Sequence, residues 1–139
     1  MVITQAILDQ LTEQAKASLR LRMNYDLRDS EDDGSQRMLN AIEPGSPERI
    51  HRHQHTSETV VCSRGRVVEE FYDELDGSAG SPQGICTDSI VMTPNGPNVA
   101  INIPAGQWHS IRAVESGSVV LSCKDGKYEP MSEADILSL

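Results

Sequence analysis

The 139-residue chain has only three cysteines, Cys62, Cys86 and Cys123. They are odd in number, far apart and without a Cys-x-x-Cys pair, so they read as free thiols of a reducing compartment. Long apolar runs are missing too. The longest are three residues, such as Val60-Val61-Cys62 and Ile90-Val91-Met92, which excludes a membrane-spanning segment. Met1-Val2-Ile3-Thr4-Gln5 lacks the basic and apolar regions of a signal peptide, so a cytoplasmic location is expected. Positive charge is in short supply. Twelve Lys and Arg face 21 Asp and Glu, a net charge of −9, which argues against a nucleic-acid backbone as partner. There is no internal repeat, low-complexity tract or long linker. Histidine is scarce as well, with four in all, yet His51, His53 and His55 fall within five positions.

The remaining composition is that of one ordinary globular domain, 37% hydrophobic and 24% charged. A chain of this length buries roughly 68–70% of its unfolded surface and needs no covalent staple. Its charge is unevenly spread. Residues 20–66 hold eight of the nine arginines and eight acids, whereas residues 67–139 carry eleven acids against Arg112, Lys124 and Lys127. The arginine-rich middle reads either as surface ion pairs or as guanidinium groups facing an anionic ligand.

Thr4 to Leu19 has helical spacing, with Ile7, Leu8, Leu11 and Ala15 on one stripe and Thr4 able to cap the start. Asp29–Gly34 reads as a loop. From Arg37 to Cys123 the chain reads as β: short apolar runs at Met38–Ile42, Thr59–Cys62, Val67–Tyr72, Ile90–Thr93, Val99–Ile103 and Val119–Cys123 alternate with Gly-, Pro-, Asn- and Asp-rich turns, among them Asp76–Gly80. That pattern predicts an all-β sandwich or barrel. Ser132–Asp135 opens a possible short C-terminal helix. The expected organisation is one domain: a helix and arm over residues 1–36, a barrel over 37–131, and a short segment over 132–139.

On an extended segment His51 and His53 share a face, ~6.6–6.8 Å apart along the strand, close enough for both rings to reach one ion. His51 and His55 would be ~13 Å apart, too far. Glu58 has the wrong parity for that face in an unbroken strand, so Gln54–Ser57 should break or bulge, after which Glu58, Val60 and Cys62 share one face. His109 comes from the distant turn Pro104–Trp108. Three imidazoles and a carboxylate suit one divalent transition metal, Fe, Mn, Ni or Zn, with coordination positions left open. His55 reads as a rim residue, Cys62 as a small core residue, and Trp108 as core or pocket wall.

These residues resemble a known family. Gly45-x5-His51-x-His53-x4-Glu58-x6-Gly65 matches the first motif of the cupin superfamily, and Pro104-x-Gly106-x2-His109 the core of the second. Given this chain's own composition, the first match arises by chance on the order of once in ten thousand such sequences. The second departs from the pattern in having Ala113 where Asn is frequent and no Gly six residues before Pro104. The N-terminal helix, Arg20–Asn24, Gln36–Ala41 and Trp108-His109-Ser110 further resemble the WbuC-type cupin metalloproteins, small bacterial proteins linked to surface-polysaccharide gene clusters. The resemblance implies a small jelly-roll barrel with His51, His53, Glu58 and His109 as metal ligands, and a homodimer. Together with the central arginine excess it points to Arg22, Asn24, Gln36 and Arg37 as substrate contacts, although Arg37 could equally pair with Asp32 or Asp33. It also marks Glu74–Asn98 as a loop longer than in its relatives.

The function expected is that of a metal-binding cupin, an enzyme acting on a small anionic or sugar-derived metabolite by isomerase- or epimerase-like Lewis-acid chemistry. The same ligands permit an Fe(II)-dependent dioxygenase, or a non-catalytic metal- or ligand-binding module. No residue is singled out as the proton-transfer base; His55 and Glu48 are merely nearby in sequence.

Overall fold

The computed structural model describes residues 1–75 and 83–138. Helix α1 (Gln5–Ala17) begins at Thr4, whose side chain accepts a hydrogen bond from the Ile7 amide, satisfying one of the donors every helix start leaves unpaired. Its stripe of Leu8, Leu11 and Ala15 is buried against Leu39, Ala41 and Val119. The helix therefore covers one outer face of the β structure that follows.

Among the described residues ten strands make that structure: β1 (Arg22–Asp26), β2 (Ser35–Ile42), β3 (Ile50–His51), β4 (Glu58–Arg64), β5 (Val67–Leu75), β6 (Gln83–Met92), β7 (Ala100–Ile103), β8 (Trp108–Ala113), β9 (Ser118–Asp125) and β10 (Ile136–Leu137). They form two five-stranded sheets, in the orders β1-β2-β9-β4-β7 and β10-β3-β8-β5-β6. All pairs between these strands are antiparallel. Inward residues of both sheets meet in one core, with Ile42, Val60, Cys62, Ile103 and Val120 from the first and Val67, Met92 and Ala113 from the second. This is the two-sheet barrel expected from the turn spacing, and Cys62 is one of its small core residues.

The structure differs from the sequence reading at three places. Arg22–Asp26, expected in the arm, is the edge strand β1, paired along its length with β2. Its polar Arg22 and Asn24 line the cavity while Met23 packs outward with the α1 cluster, an alternation that is present in Arg22-Met23-Asn24-Tyr25-Asp26 but only five residues long. The short C-terminal helix is a single 3-10 turn, Glu133–Asp135. One turn does not repay helix nucleation, and Ile136 and Leu137 instead extend onto β3, Leu137 packing with Ile50, Tyr72 and Trp108. Within the segment 74–98, expected as a loop, Gln83–Met92 is a strand paired with β5. The turn expected at Asp76–Gly80 lies outside the described residues. Among the described residues no helix is long and apolar enough to cross a membrane.

Candidate metal centre and ligand cavity

The period-2 alternation of the strands decides which side chains meet inside the barrel. From β2, Gln36, Met38, Asn40 and Ile42 turn inward, while Leu39 and Ala41 turn to α1. The same alternation brings in Glu58 and Val60 from β4, His109 and Ile111 from β8, and Val120, Ser122 and Lys124 from β9. Together they line a cavity of about 380 Å³ whose floor is the apolar core.

His51 ends β3, and the chain then leaves the sheet; Gln54 and His55 lie in a bend. His53 is therefore not a strand neighbour of His51. Its backbone carbonyl accepts from the Gly106 amide at 2.7 Å, which ties it to the turn that leads into His109. The His51 and His53 rings meet edge to face at 5.2 Å between centroids. His109, directly across the ladder from His51, brings its ring within 4.3 Å of that one. One ring nitrogen from each of the three lies within 4.8 Å of those of the others. The Oε1 atom of Glu58 approaches the Nε2 atoms of His109 and His53 at 3.3 and 3.4 Å. His55 is exposed and outside this group.

Hydrogen bonds set the tautomers. The Nδ1 atoms of His51 and His109 lie 2.9 and 2.8 Å from the carbonyls of Arg49 and Gln107. A carbonyl only accepts, so each Nδ1 carries the proton and each Nε2 presents a lone pair. The Nε2 atoms of His53 and His109 are buried and have no hydrogen-bond partner, since their approaches to Glu58 lack hydrogen-bond geometry. Burial, with the neighbouring His109, pushes the His51 pKa down to about 4, so this ring is neutral at pH 7. Burial pushes the Glu58 pKa up, whereas the Lys124 charge and the Ser122 hydroxyl favour the carboxylate, and the balance lies below the usual range. Ser122 donates to Oε2 and leaves Oε1 facing the imidazoles. The Nε2 lone pairs of His51 and His109, converging with the unpartnered His53 Nε2 beside the Glu58 carboxyl, are a donor set for a divalent cation, and two donors sharing one ion at ~2.1 Å stand about 3.0–3.4 Å apart. The residues fit a metal.

All four expected substrate contacts line the same cavity. Arg22 is ion-paired with Glu48 and bonded to Ser46, and Glu48 also accepts from the Ile111 amide at 2.9 Å, which leaves it poorly placed as a free base. Gln36 donates to the Gly126 carbonyl at 3.0 Å. Arg37 lines the cavity and pairs with Asp33 at 3.1 Å, as one of its two readings expected. Trp108 turns the other way, into the outer cluster with Ile50 and Tyr72, where the Arg52 guanidinium sits 4.4 Å from its ring centre. Sequence reasoning missed Ser122 and Glu69, which both line the cavity. Ser122 stands alone between Leu121 and Cys123, and Glu69 is the first of an acidic pair inside Val67–Tyr72; those interruptions were the only local signal.

The fold and the convergence of three histidines with a carboxylate define a small cupin barrel. Solved structures agree on the fold. The chain matches KdgF from Halomonas sp. with a TM-score of 0.52 at 14% identity, over 77% of this chain and 82% of that one. It matches the capsular polysaccharide assembling protein CapF of Staphylococcus aureus with a TM-score of 0.58 at 18% identity, over 84% of this chain but only 32% of CapF. Oxalate oxidase in complex with the substrate analogue glycolate gives a TM-score of 0.58 at 17% identity, over 83% and 55% of the two chains. No curated protein matches the chain. Residues 3–80 match the model of a domain of unknown function, DUF6016, and the chain belongs to that family. The matched stretch contains His51, His53 and Glu58, while His109 lies beyond it.

Proposed function

We propose that the protein is a metal-dependent cupin enzyme of the WbuC type, acting on a small anionic or sugar-derived metabolite, with His51, His53, Glu58 and His109 as the metal ligands. The observation that carries this reading is the pair of buried, unpartnered Nε2 atoms of His53 and His109 aimed past Glu58 into a ligand-sized cavity. A divalent metal held there supplies Lewis-acid polarisation of a ligand oxygen. The chain's own residues do the rest. Asn24, Gln36 and Asn40 offer amides suited to hydroxyl groups, and Arg22, Arg28, Arg37 and Lys124 bring positive charge to the cavity of a protein that is acidic as a whole. The apolar floor of Ile42, Val60 and Val120 keeps water from the inner end. Likeness to a capsular polysaccharide assembling protein supports a sugar-derived ligand at the level of fold.

The test is elemental analysis of untagged protein beside His53→Ala, purified without nickel resin, which His51-x-His53-x-His55 would strip. Wild type should carry about one transition metal per chain and the variant little. Equal content in both overturns the assignment. Oxygen consumption by iron-loaded protein would replace the isomerase reading with a dioxygenase.

A further inference from the structure

One titratable side chain in the cavity has no part in the metal centre. Glu69 lies on β5 opposite Ile111 of β8, is 1% exposed and lines the cavity. The next residue, Glu70, turns outward and is fully engaged, bonded to Arg112 at 2.7 Å and to the Tyr72 hydroxyl. Glu69 has no such partner. Both of its carboxyl oxygens are buried without a hydrogen bond. An ionised carboxylate so placed would be severely penalised by desolvation, and such a group escapes the penalty by keeping its proton.

The charges around it act in the same direction. Glu48, from the loop before β3, and Glu58, on β4, both disfavour a second negative charge, and Glu70 on its own strand adds to them. Arg22, on β1, opposes them. Lys124 on β9, with His51, His53, His109 and Tyr128, completes the titratable groups of the cavity, and Arg28 and Arg37 also line it. Arg22 already shares its charge with Glu48, and its Nη2 atom is buried with no partner. The cavity thus holds two buried polar groups without partners, the Arg22 Nη2 group and the Glu69 carboxyl, on different strands.

Resting on the reading that this cavity takes a small anionic ligand, we propose that Glu69 is its proton-bearing residue, a neutral carboxyl that with Arg22 Nη2 grips the carboxylate of a small hydroxy acid. Four cations (Arg22, Arg28, Arg37, Lys124) and three acids (Glu48, Glu58, Glu69) line the cavity. Arg28 and Arg37 are already offset by Asp26 and Asp33, so ionising Glu69 would take the positive charge left to receive an anion and set a carboxylate against the ligand. When negative charge grows on a ligand oxygen, the Glu69 O–H bond breaks as the ligand O–H bond forms. The carboxylate left behind lies in the field of Arg22, and the reverse transfer restores the resting state. Glu69 would then be the acid–base residue the sequence did not single out.

The experiment compares wild type, Glu69→Gln and Glu69→Leu, with metal content measured in each. Infrared spectra at neutral pH should show the C=O stretch of a protonated carboxyl in wild type and lose it in Glu69→Gln. In calorimetric titration with L-lactate, Glu69→Gln, which keeps a donor, should bind within about threefold of wild type. Glu69→Leu should bind at least about tenfold more weakly, the cost of a hydrogen bond to a charged group. Absence of the acid band in wild type overturns the proposal, as does lactate binding about tenfold tighter in Glu69→Gln, the response expected if an anionic side chain had been removed. Failure of wild type to bind lactate overturns the ligand class. The two readings fail separately: an acid band in protein that binds no metal defeats only the metal centre, and bound metal without the band defeats only the role of Glu69.

Discussion

Ser122→Ala tests whether Glu58 belongs to the metal centre without touching any of the four candidate ligands. Ser122 is buried on β9, and its hydroxyl donates to Oε2 of Glu58. Alanine removes that donor, leaves a small void and strands one oxygen of an ionised carboxylate that is itself 8% exposed. A hydrogen bond to a charged group is worth about 1.5–3 kcal/mol, and for a chain of this length 1 kcal/mol moves the melting temperature by roughly 4 °C. Chelator-stripped Ser122→Ala should therefore melt about 6–12 °C below wild type. The second readout is specific to the centre. Residues that orient a metal ligand typically contribute 10–100-fold to affinity, about 1.4–2.7 kcal/mol. Competition with a fluorescent zinc chelator should show that loss in Ser122→Ala, while Ser122→Thr, which keeps the hydroxyl, should recover most of it. Zinc affinity unchanged in Ser122→Ala, with the melting temperature lowered, would make the bond purely architectural and remove Glu58 from the metal centre.

Further outcomes follow from other residues. Gly65→Ala should cost about 2–4 kcal/mol, because the backbone there has φ +80° and an added Cβ would lie 2.7 Å from the Ser118 Cα, which cannot swing away; a melting temperature within about 3 °C of wild type would contradict this. Glu69 has a folded-state pKa raised above its unfolded value, first by burial and then by the charges of Glu48 and Glu58. Its contribution is thus fully present below the unfolded pKa and is lost as pH rises towards the folded one. Urea midpoints of Glu69→Gln should accordingly rise relative to wild type between about pH 5 and pH 8, whereas a constant offset would mean that Glu69 is ionised throughout. Arg64→Ala should loosen α1, since Arg64 reaches Asp9 at 2.7 Å, the Thr12 hydroxyl at 3.0 Å and the Gly117 carbonyl at 3.1 Å. Faster amide exchange over residues 5–17 without loss of metal is the expected result, and unchanged exchange refutes it.

The candidate metal centre was legible because its letters are tied to backbone geometry as well as to chemistry. Gly45, Gly65 and Gly106 all adopt positive φ, so the motif records where the chain must turn between its ligands. The break expected after His53 is present for the same reason: Glu58 had to change parity to face inward. Helix α1 was legible from its stripe and its cap. What stayed hidden depends on pairing that no local pattern encodes. A two-residue strand such as β3 or β10 is too short to show a period. The inward turn of Glu69 and Ser122 emerges only once β5 is set against β8 and β9 against β4. The spacing of His51 and His53 was read as that of one continuous strand, whereas the strand ends at His51 and the second ring arrives from a bend.

The position of β3 bears on how the centre is assembled in time. Its two residues form no hairpin with a neighbour in sequence. Instead they are held between His109 of β8 on one side and Ile136 and Leu137 of β10 on the other. Both partners are distant along the chain, so the entropy of closing large loops must be met before His51 and His109 can face each other. Folding stages in which only α1 and the β1–β2 and β5–β6 hairpins have formed would still hold these two imidazoles apart. Metal capture then belongs to the end of folding, and ions present during refolding should speed the last kinetic phase while leaving collapse unchanged.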